Sequence, residues 1–368
     1  MTANEIVLVT GGSGHVAIFS IYRLLQKGYS VRTTIRNKSR ADQIKKHILA
    51  LRTYQHVSDA NDVDLVEVTE KVINDKVSFY ETDLEKSSGW EEAVSGVDYI
   101  QHIASPTTTA DDNTVNVSRD GTLRLLKLAN KYKVKRLVLM SSAAAISYTG
   151  AKPDPKGKVP KITESDWSIP QETPNAYAKS KLIQERAAWD WINSKENTSG
   201  LEMTSLNPTA IMGPNIPGQK CVAAEHIVSG FVDGRMKFGV PRIFMGTTDV
   251  RDIAYINERA IHVPEARNER FILQCDNSPT LKWFDYSQML KKHYSSPQSN
   301  GKVIVGNLPA RELPSGLIRF LAHFISTVKL AVPYLDTQRE TQNDKAKRVF
   351  KWQPLATKEA LLATVETL

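Results

Sequence analysis

The stretch "EIVLVTGGSGHVA", Glu5 to Ala17, decides the fold. A short apolar run, Ile6 to Val9, reads as a buried strand. It ends in glycines and passes straight into "VAIFSIYRLLQKG", a helical pattern closed by Gly28. Gly11, Gly14 and Ala17 are spaced G-x-x-G-x-x-A. Gly11 allows the tight turn out of the strand. Gly14 lets the backbone come close to a pyrophosphate, and Ala17 allows close helix–strand packing. The helix begins around His15 and Val16, where free N–H groups and the positive end of the helix dipole face the phosphates. A glycine triplet alone is a weak signal. Between a strand and a helix it predicts a dinucleotide site.

Working outward, β-like runs alternate with helical patterns through the first two-thirds of the chain. The strands are "YSVRTTIR", "VSFYETDL", "VDYIQHIAS", "RLVLMSSAA" and "LEMTSLNPT". This alternation implies βαβ units with right-handed crossovers. The expected fold is α/β: a Rossmann-type doubly wound parallel sheet with a smaller C-terminal α/β substrate lobe. Residues 1–207, joined by a helix at about 248–263, are expected to form the nucleotide domain. Residues 208–247 and 264–368 are expected to form the lobe. The connection from Asn37 to Lys76 is long, a feature of functional or loosely ordered segments.

The second strand ends at Arg36. An acid there would bond the ribose hydroxyls of NAD, whereas an arginine suits the 2′-phosphate of NADP. The expected cofactor is therefore NADP(H) rather than NAD(H), with Arg32, Lys38 and Arg40 adding positive charge. After the third strand, Asp83 could accept from an adenine amine while Leu84 packs on the ring; Asp83 also reads as a helix N-cap. Ile103, Ala104 and Ser105 follow the fourth strand along the cofactor.

Composition narrows the remaining classes. The 368 residues carry a formal net charge of +8, with 41% hydrophobic and 24% charged residues, ordinary for a globular protein. The basic residues are scattered, with one cluster at Lys152–Lys161, and no motif for reading nucleic acid is present. Cys221 and Cys275 lie far apart, which excludes a disulfide framework or a CxxC zinc site and fits a reducing cytoplasm. No metal is expected. No leader precedes the first strand, and no apolar run is long enough to span a bilayer. "GLIRFLAHFISTVKLAVPYL", Gly316 to Leu335, reads as one amphipathic helix, packed on its lobe or covering a pocket.

"NAYAKSK", Asn175 to Lys181, sets Tyr177 and Lys181 one helical turn apart on one face. Tyr-x-x-x-Lys alone is common. Taken with the glycine loop, Arg36, "TDL", "HIASP", "LMSSAA" and "NPTAIMGP", in that order, it makes the chain resemble the extended short-chain dehydrogenases/reductases, and among them the dihydroflavonol-reductase-like branch. "DVRDIA" and "NDKAKRVFKWQP" resemble later landmarks of that branch.

The resemblance implies that Tyr177 is the acid/base. It would give a proton to a carbonyl oxygen as hydride arrives from the nicotinamide. Lys181 would lower the tyrosine pKa and hold the ribose, and a serine on the fifth strand would hydrogen-bond the same oxygen. Ser141 and Ser142 both compete for that place, and the family's "SSA" pattern selects Ser142. Asn207 and Pro208 would border the nicotinamide. His15 departs from the aromatic or aliphatic residue common in that loop, and His102 and His226 receive no role.

The implied partner is a small carbonyl compound, and the chain is expected to be a monomer or homodimer. The alternative on the same scaffold is an NAD-dependent sugar-nucleotide epimerase/dehydratase. Dehydratases carry an acid just after the catalytic serine or threonine, and "SSAAAIS" has none. A non-catalytic dinucleotide sensor need not keep Ser142, Tyr177 and Lys181 together.

Overall fold

The computed structural model describes residues 5–51, 65–106, 112–154, 156–219, 224–275, 280–295 and 302–368. Cys221 and part of the long connection after Asn37 lie outside them. Numbering only the strands of the main sheet, β1 is Ile6–Val9, β2 Ser30–Ile35, β3 Val77–Glu81, β4 Tyr99–His102, β5 Arg136–Met140, β6 Glu202–Pro208 and β7 Glu269–Leu273. Their order across the sheet is β7-β6-β5-β4-β1-β2-β3, and every pairing is parallel. The order reverses between β1 and β4, and ligands bind at such a switch point.

Helices cover both faces. They are α1 His15–Gln26, α2 Ala41–Ala50, α3 Glu70–Lys76, α4 Trp90–Val94, α5 Asp112–Lys131, α6 Ala176–Ile192 and α8 Val250–Ala260, while α7 Ala224–Val232 belongs to the lobe. On one face Ile18, Leu24, Ile44, Ile73, Ile253 and Phe350 pack against the strands. On the other, Trp90, Leu125, Leu126, Ala188, Trp191 and Met203 do so. The strand centres are apolar on both sides because a parallel sheet is covered on both. A separate core of Phe231, Val240, Tyr286, Leu290, Leu308 and Leu361 holds the lobe. Two-residue and three-residue strands there pair as small sheets, such as 210–212 with 247–249.

Two expectations change. Glu269–Leu273, assigned to the lobe by the boundary at 264, is the seventh strand of the main sheet, paired to β6. The chain then leaves and returns, so that Ala346, Phe350 and Trp352 join the sheet's core. Five residues carry no local sign of which strand they will pair with, although α8 directly precedes them. The segment expected to be one helix from Gly316 to Leu335 is broken into Ser315–Leu321, Ser326–Lys329 and a single 3₁₀ turn, Val332–Tyr334. His323 donates through Nδ1 to Arg319 O at 2.9 Å, satisfying with a side chain a carbonyl near the first helix's end.

Candidate active site

The carboxyl ends of β1, β2, β4, β5 and β6 open into one cavity of about 1290 Å³. At its nucleotide end the glycine loop is fixed from β2: Gly11 N donates to Thr34 Oγ1 at 3.0 Å and Gly12 N to Thr34 O at 2.8 Å. Gly11 has φ +75°, and a Cβ there would stand 3.0 Å from Ala104 Cα. Gly12 carries the strictest demand: a Cβ would fall 2.1 Å from Thr33 Oγ1, which itself donates to Val9 O at 2.9 Å. Sequence reasoning passed over Gly12, although the doubled glycine was its signal.

Gly14, His15 and Val16 line the cavity. Gly14 is the N-cap of α1 and gives no side-chain cap, so first-turn N–H groups are left for an anion. Ala17 is fully buried and serves helix packing, not ligand contact. Burial lowers His15 to a pKa of about 4, with a hydrogen bond to Gln219 acting in the opposite direction, so the ring is neutral near pH 7. It lies against Phe19, centroids 5.1 Å apart.

Arg36, Asp83, Leu84, Ile103, Ala104 and Ser105 line the same end. Arg36 is exposed. Arg32 instead donates to the carbonyls of Glu92, Ala93 and Ser95, which removes it from the charge assigned to the cofactor. Asp83 Oδ1 accepts from Glu85 N at 3.1 Å and closes a local turn; the next helix starts at Trp90 with Gly89 as its N-cap, so Asp83 is not the helix cap expected of it. Ser105 Oγ is buried without a hydrogen-bond partner. An orphaned hydroxyl, an uncapped helix start and a loop in which a Cβ would collide fit a dinucleotide.

At the other end stand Ser142, Tyr177 and Lys181, all on the cavity wall. Asn175 caps α6, its Oδ1 accepting from Ala178 N at 2.8 Å, and so fixes where Tyr177 leaves the helix. One turn on, Lys181 Nζ donates to Met140 O at 2.9 Å and to Gln184 Oε1 at 3.3 Å. Burial pulls Lys181 down to a pKa of about 8, while the Glu185 carboxylate favours its charge. Tyr177 keeps 45% of its surface accessible. That surface faces a concave wall, so the hydroxyl is desolvated although the ring is not covered. Burial accordingly raises its pKa, and a hydrogen bond from Ser142 opposes the rise. The net shift is upward, not the expected lowering, because desolvation dominates in the chain itself.

The two serines separate. Ser141 Oγ donates to Glu185 Oε2 at 2.5 Å, in the interior. Ser142 caps the turn at 143–145, its Oγ accepting from Ala144 N at 3.1 Å, and is only partly buried. Asn207 departs from its expected place beside the nicotinamide. It is fully buried and donates to Glu185 Oε2 at 2.7 Å and to Ser142 O at 3.1 Å. Pro208, the next residue, does line the cavity. Strand alternation sends Asn207 inward, and the buried carboxylate of Glu185 then captures it.

Glu185 is the residue that sequence reasoning missed. It lies one turn beyond Lys181, is fully buried, and also accepts from Ser205 Oγ at 2.8 Å and Arg270 Nε at 2.7 Å. Its signal was an acid at i+4 on the apolar face of a helix.

Among the described residues no three His, Cys, Asp or Glu side chains converge as a metal site. No helix among them is long and apolar enough to cross a membrane. Cys275 is buried in the lobe's core.

The model of the NAD dependent epimerase/dehydratase family matches residues 7–261, and the chain belongs to that family. Cinnamoyl-CoA reductase 1 of Arabidopsis thaliana is 27% identical over 271 residues, 74% of this chain and 70% of that protein. Noscapine synthase SDR1 of Papaver somniferum is 30% identical over 294 residues, 74% of this chain and 72% of that protein. Yeast methylglyoxal/isovaleraldehyde reductase Gre2, solved in complex with NADPH, shares the fold with a TM-score of 0.74 at 20% identity, covering 98% of this chain and 97% of its own. These likenesses agree with the extended short-chain reductase branch indicated by the motifs.

Proposed function

We propose that the protein is an NADPH-dependent carbonyl reductase, acting on an aldehyde or ketone, with Tyr177 as proton donor. The observation that carries this reading is a single cavity shared by Ser142, Tyr177, Lys181, the glycine loop and Arg36. The reductases among its relatives, including one solved with NADPH, support it.

When bound, the cofactor supplies a hydride to the carbonyl carbon. The chain's own residues do the rest. Arg36 pairs with the 2′-phosphate, and the start of α1 receives the pyrophosphate. Ser142 Oγ hydrogen-bonds the carbonyl oxygen and steadies its developing charge. Tyr177, held protonated by its desolvated setting, gives that oxygen a proton. Lys181, still charged near neutrality, stabilises the phenolate left behind. The lobe after Pro208 supplies the substrate's surroundings, with Ile243, Phe244 and Trp283 as apolar wall.

The test is absorbance of reduced nicotinamide, with NADPH and NADH in parallel, against aldehydes, ketones and flavanones. Consumption of NADPH that disappears in Tyr177→Phe supports the reading. Unchanged turnover in that variant overturns Tyr177 as the proton donor, and no consumption with either cofactor by a purified protein that retains NAD replaces the reductase reading with the epimerase one.

A further inference from the structure

Arg339 lines the cavity beside Tyr148, with its guanidinium carbon 4.9 Å from the tyrosine's ring centroid. Among the described residues its side chain makes a long hydrogen bond, from Nη1 to Thr337 O at 3.3 Å. A guanidinium offers five N–H donors in a planar fork, so most of this one's capacity is unspent.

Among the described residues no carboxylate pairs with Arg339. The adjacent acid, Glu340, is engaged with Lys161 at 3.3 Å. Other arginines set into the protein behave differently. Arg136 meets Glu202 at 2.7 Å, Arg251 meets Asp249 at 2.8 Å and Arg270 meets Glu185 at 2.7 Å. Arg235, also on the cavity, is held by Asp233 at 2.6 Å.

Removing a guanidinium from water without a counter-charge is costly. Burial indeed pulls Arg339 below its ordinary pKa, and the nearby Tyr148 only partly compensates. Tyr148 also locates the cation. Burial and Tyr334 push its hydroxyl up to about 12, and it feels both Arg339 and Tyr177. Tyr148 follows the turn at 143–145 that Ser142 caps, with Ser147 N donating to Ala143 O at 2.9 Å, so the unpaired charge lies at the Ser142 end of the cavity, not at the Arg36 end.

We propose that the substrate is an oxo acid, whose carboxylate pairs with Arg339 while its carbonyl oxygen meets Ser142 and Tyr177. The inference rests on the reductase reading and narrows it. A carboxylate fits better than a phosphate. The planar fork matches it in two parallel bonds, and one guanidinium without an acid neutralises a single charge.

The test compares 2-oxohexanoate, 4-oxohexanoate and 5-oxohexanoate, each with its methyl ester, and 2-hexanone as a neutral control, using NADPH and the full chain. For at least one chain length the acid is expected to exceed its ester in kcat/KM by about tenfold or more, the scale of a charge-assisted pair. Arg339→Gln should bring that ratio to about one, and Arg339→Lys should leave an intermediate ratio.

Calorimetry with hexanoate, which cannot be reduced, gives a readout independent of turnover. Its affinity should fall at least tenfold in Arg339→Gln, with hexan-1-ol unaffected. Thermal unfolding of both variants separates loss of the pair from loss of the fold, and Arg339→Lys carries the comparison if Arg339→Gln does not fold.

Esters and 2-hexanone reduced as well as the acids at every length, or hexanoate binding unchanged in Arg339→Gln, overturn the oxo-acid inference and leave the reductase reading standing. No NADPH consumption with any of these compounds overturns both.

Discussion

Ser141 Oγ lies 2.5 Å from Glu185 Oε2, and this contact commits the first of two adjacent serines to a buried carboxylate. A buried carboxylate needs donors. It draws Ser141, Ser205, Asn207 and Arg270 to itself. Both serines border the cavity, but Ser142, one residue on, does not spend its hydroxyl on Glu185 and instead accepts from Ala144 N at 3.1 Å.

The serine pair should therefore divide activity from stability. Ser142→Ala is expected to lower kcat for carbonyl reduction about 10²–10³-fold, the usual cost of removing one oxyanion donor, with little change in unfolding midpoint. Ser141→Ala deprives Glu185 of a donor and should cost about 1–3 kcal/mol of stability, with kcat within a few-fold of wild type. Steady-state kinetics and urea unfolding of both variants check this, and the opposite division would reverse the assignment.

Arg36 is exposed at the end of β2 and lines the nucleotide end of the cavity. Arg36→Glu should weaken NADPH binding by about 10–100-fold, the worth of one charge-assisted pair, and affect NADH far less. Cofactor-fluorescence titrations give both constants. Equal losses for the two cofactors would remove Arg36 from the 2′-phosphate.

Lys181, held at about 8 by burial, loses its charge as pH rises through that value. The phenolate left on Tyr177 then loses its neighbouring cation. Reduction should accordingly decline on an alkaline limb beginning near pH 8. In Lys181→Met the residual rate should be lower and lack that limb. A pH profile of kcat/KM for both proteins decides the matter.

His102 is expected to make the fold acid-sensitive. Thr122 Oγ1 donates to Ser118 O at 2.8 Å and accepts from Gln184 Nε2 at 2.8 Å, so His102 Nε2, 3.0 Å away, must carry the proton it shares with Thr122. Thr10 Oγ1 accepts from Ile103 N and Ala104 N, both at 3.0 Å, and so donates to His102 Nδ1 at 2.9 Å. The neutral ring satisfies every partner, and a second ring proton has nowhere to go.

Burial, and then the charge of Lys181, hold His102 down at about 3. A histidine in the unfolded chain titrates near 6.5. Below that pH the unfolded chain takes a proton that the folded chain refuses, so stability falls from about pH 6.5 towards 3. The loss from pH 7 to 5 is about 2 kcal/mol for each such histidine, and His15 adds its share. Urea midpoints at pH 7 and 5 should show the decline, with a shallower one in His102→Gln.

Much of this protein is legible from its sequence because the decisive signals are local. The order strand, glycine loop, helix around Gly11 and Gly14 is a matter of neighbouring residues, as is the helical spacing of Tyr177 and Lys181. The alternation of apolar runs fixed the parallel sheet, since a strand covered on both faces must be apolar on both. These readings carried the fold class, the nucleotide end of the cavity and the Tyr177–Lys181 face.

Distant packing decided the rest. Glu269–Leu273 became a sheet strand only because β6 presented an open edge. "DVRD" and "FKWQP" were separate landmarks until folding set Trp352 Nε1 2.8 Å from Asp252 Oδ1. Asn207 turned from the cavity, and Ser141 Oγ was engaged, because both bond the buried Glu185. Arg339 gained significance only when the fold set it on the cavity wall without an acid. Local sequence states which groups are present and on which side of a helix or strand they emerge. Which buried charge meets which donor is settled by contacts between residues far apart in the chain, where desolvation makes each unpaired group costly and each pairing selective.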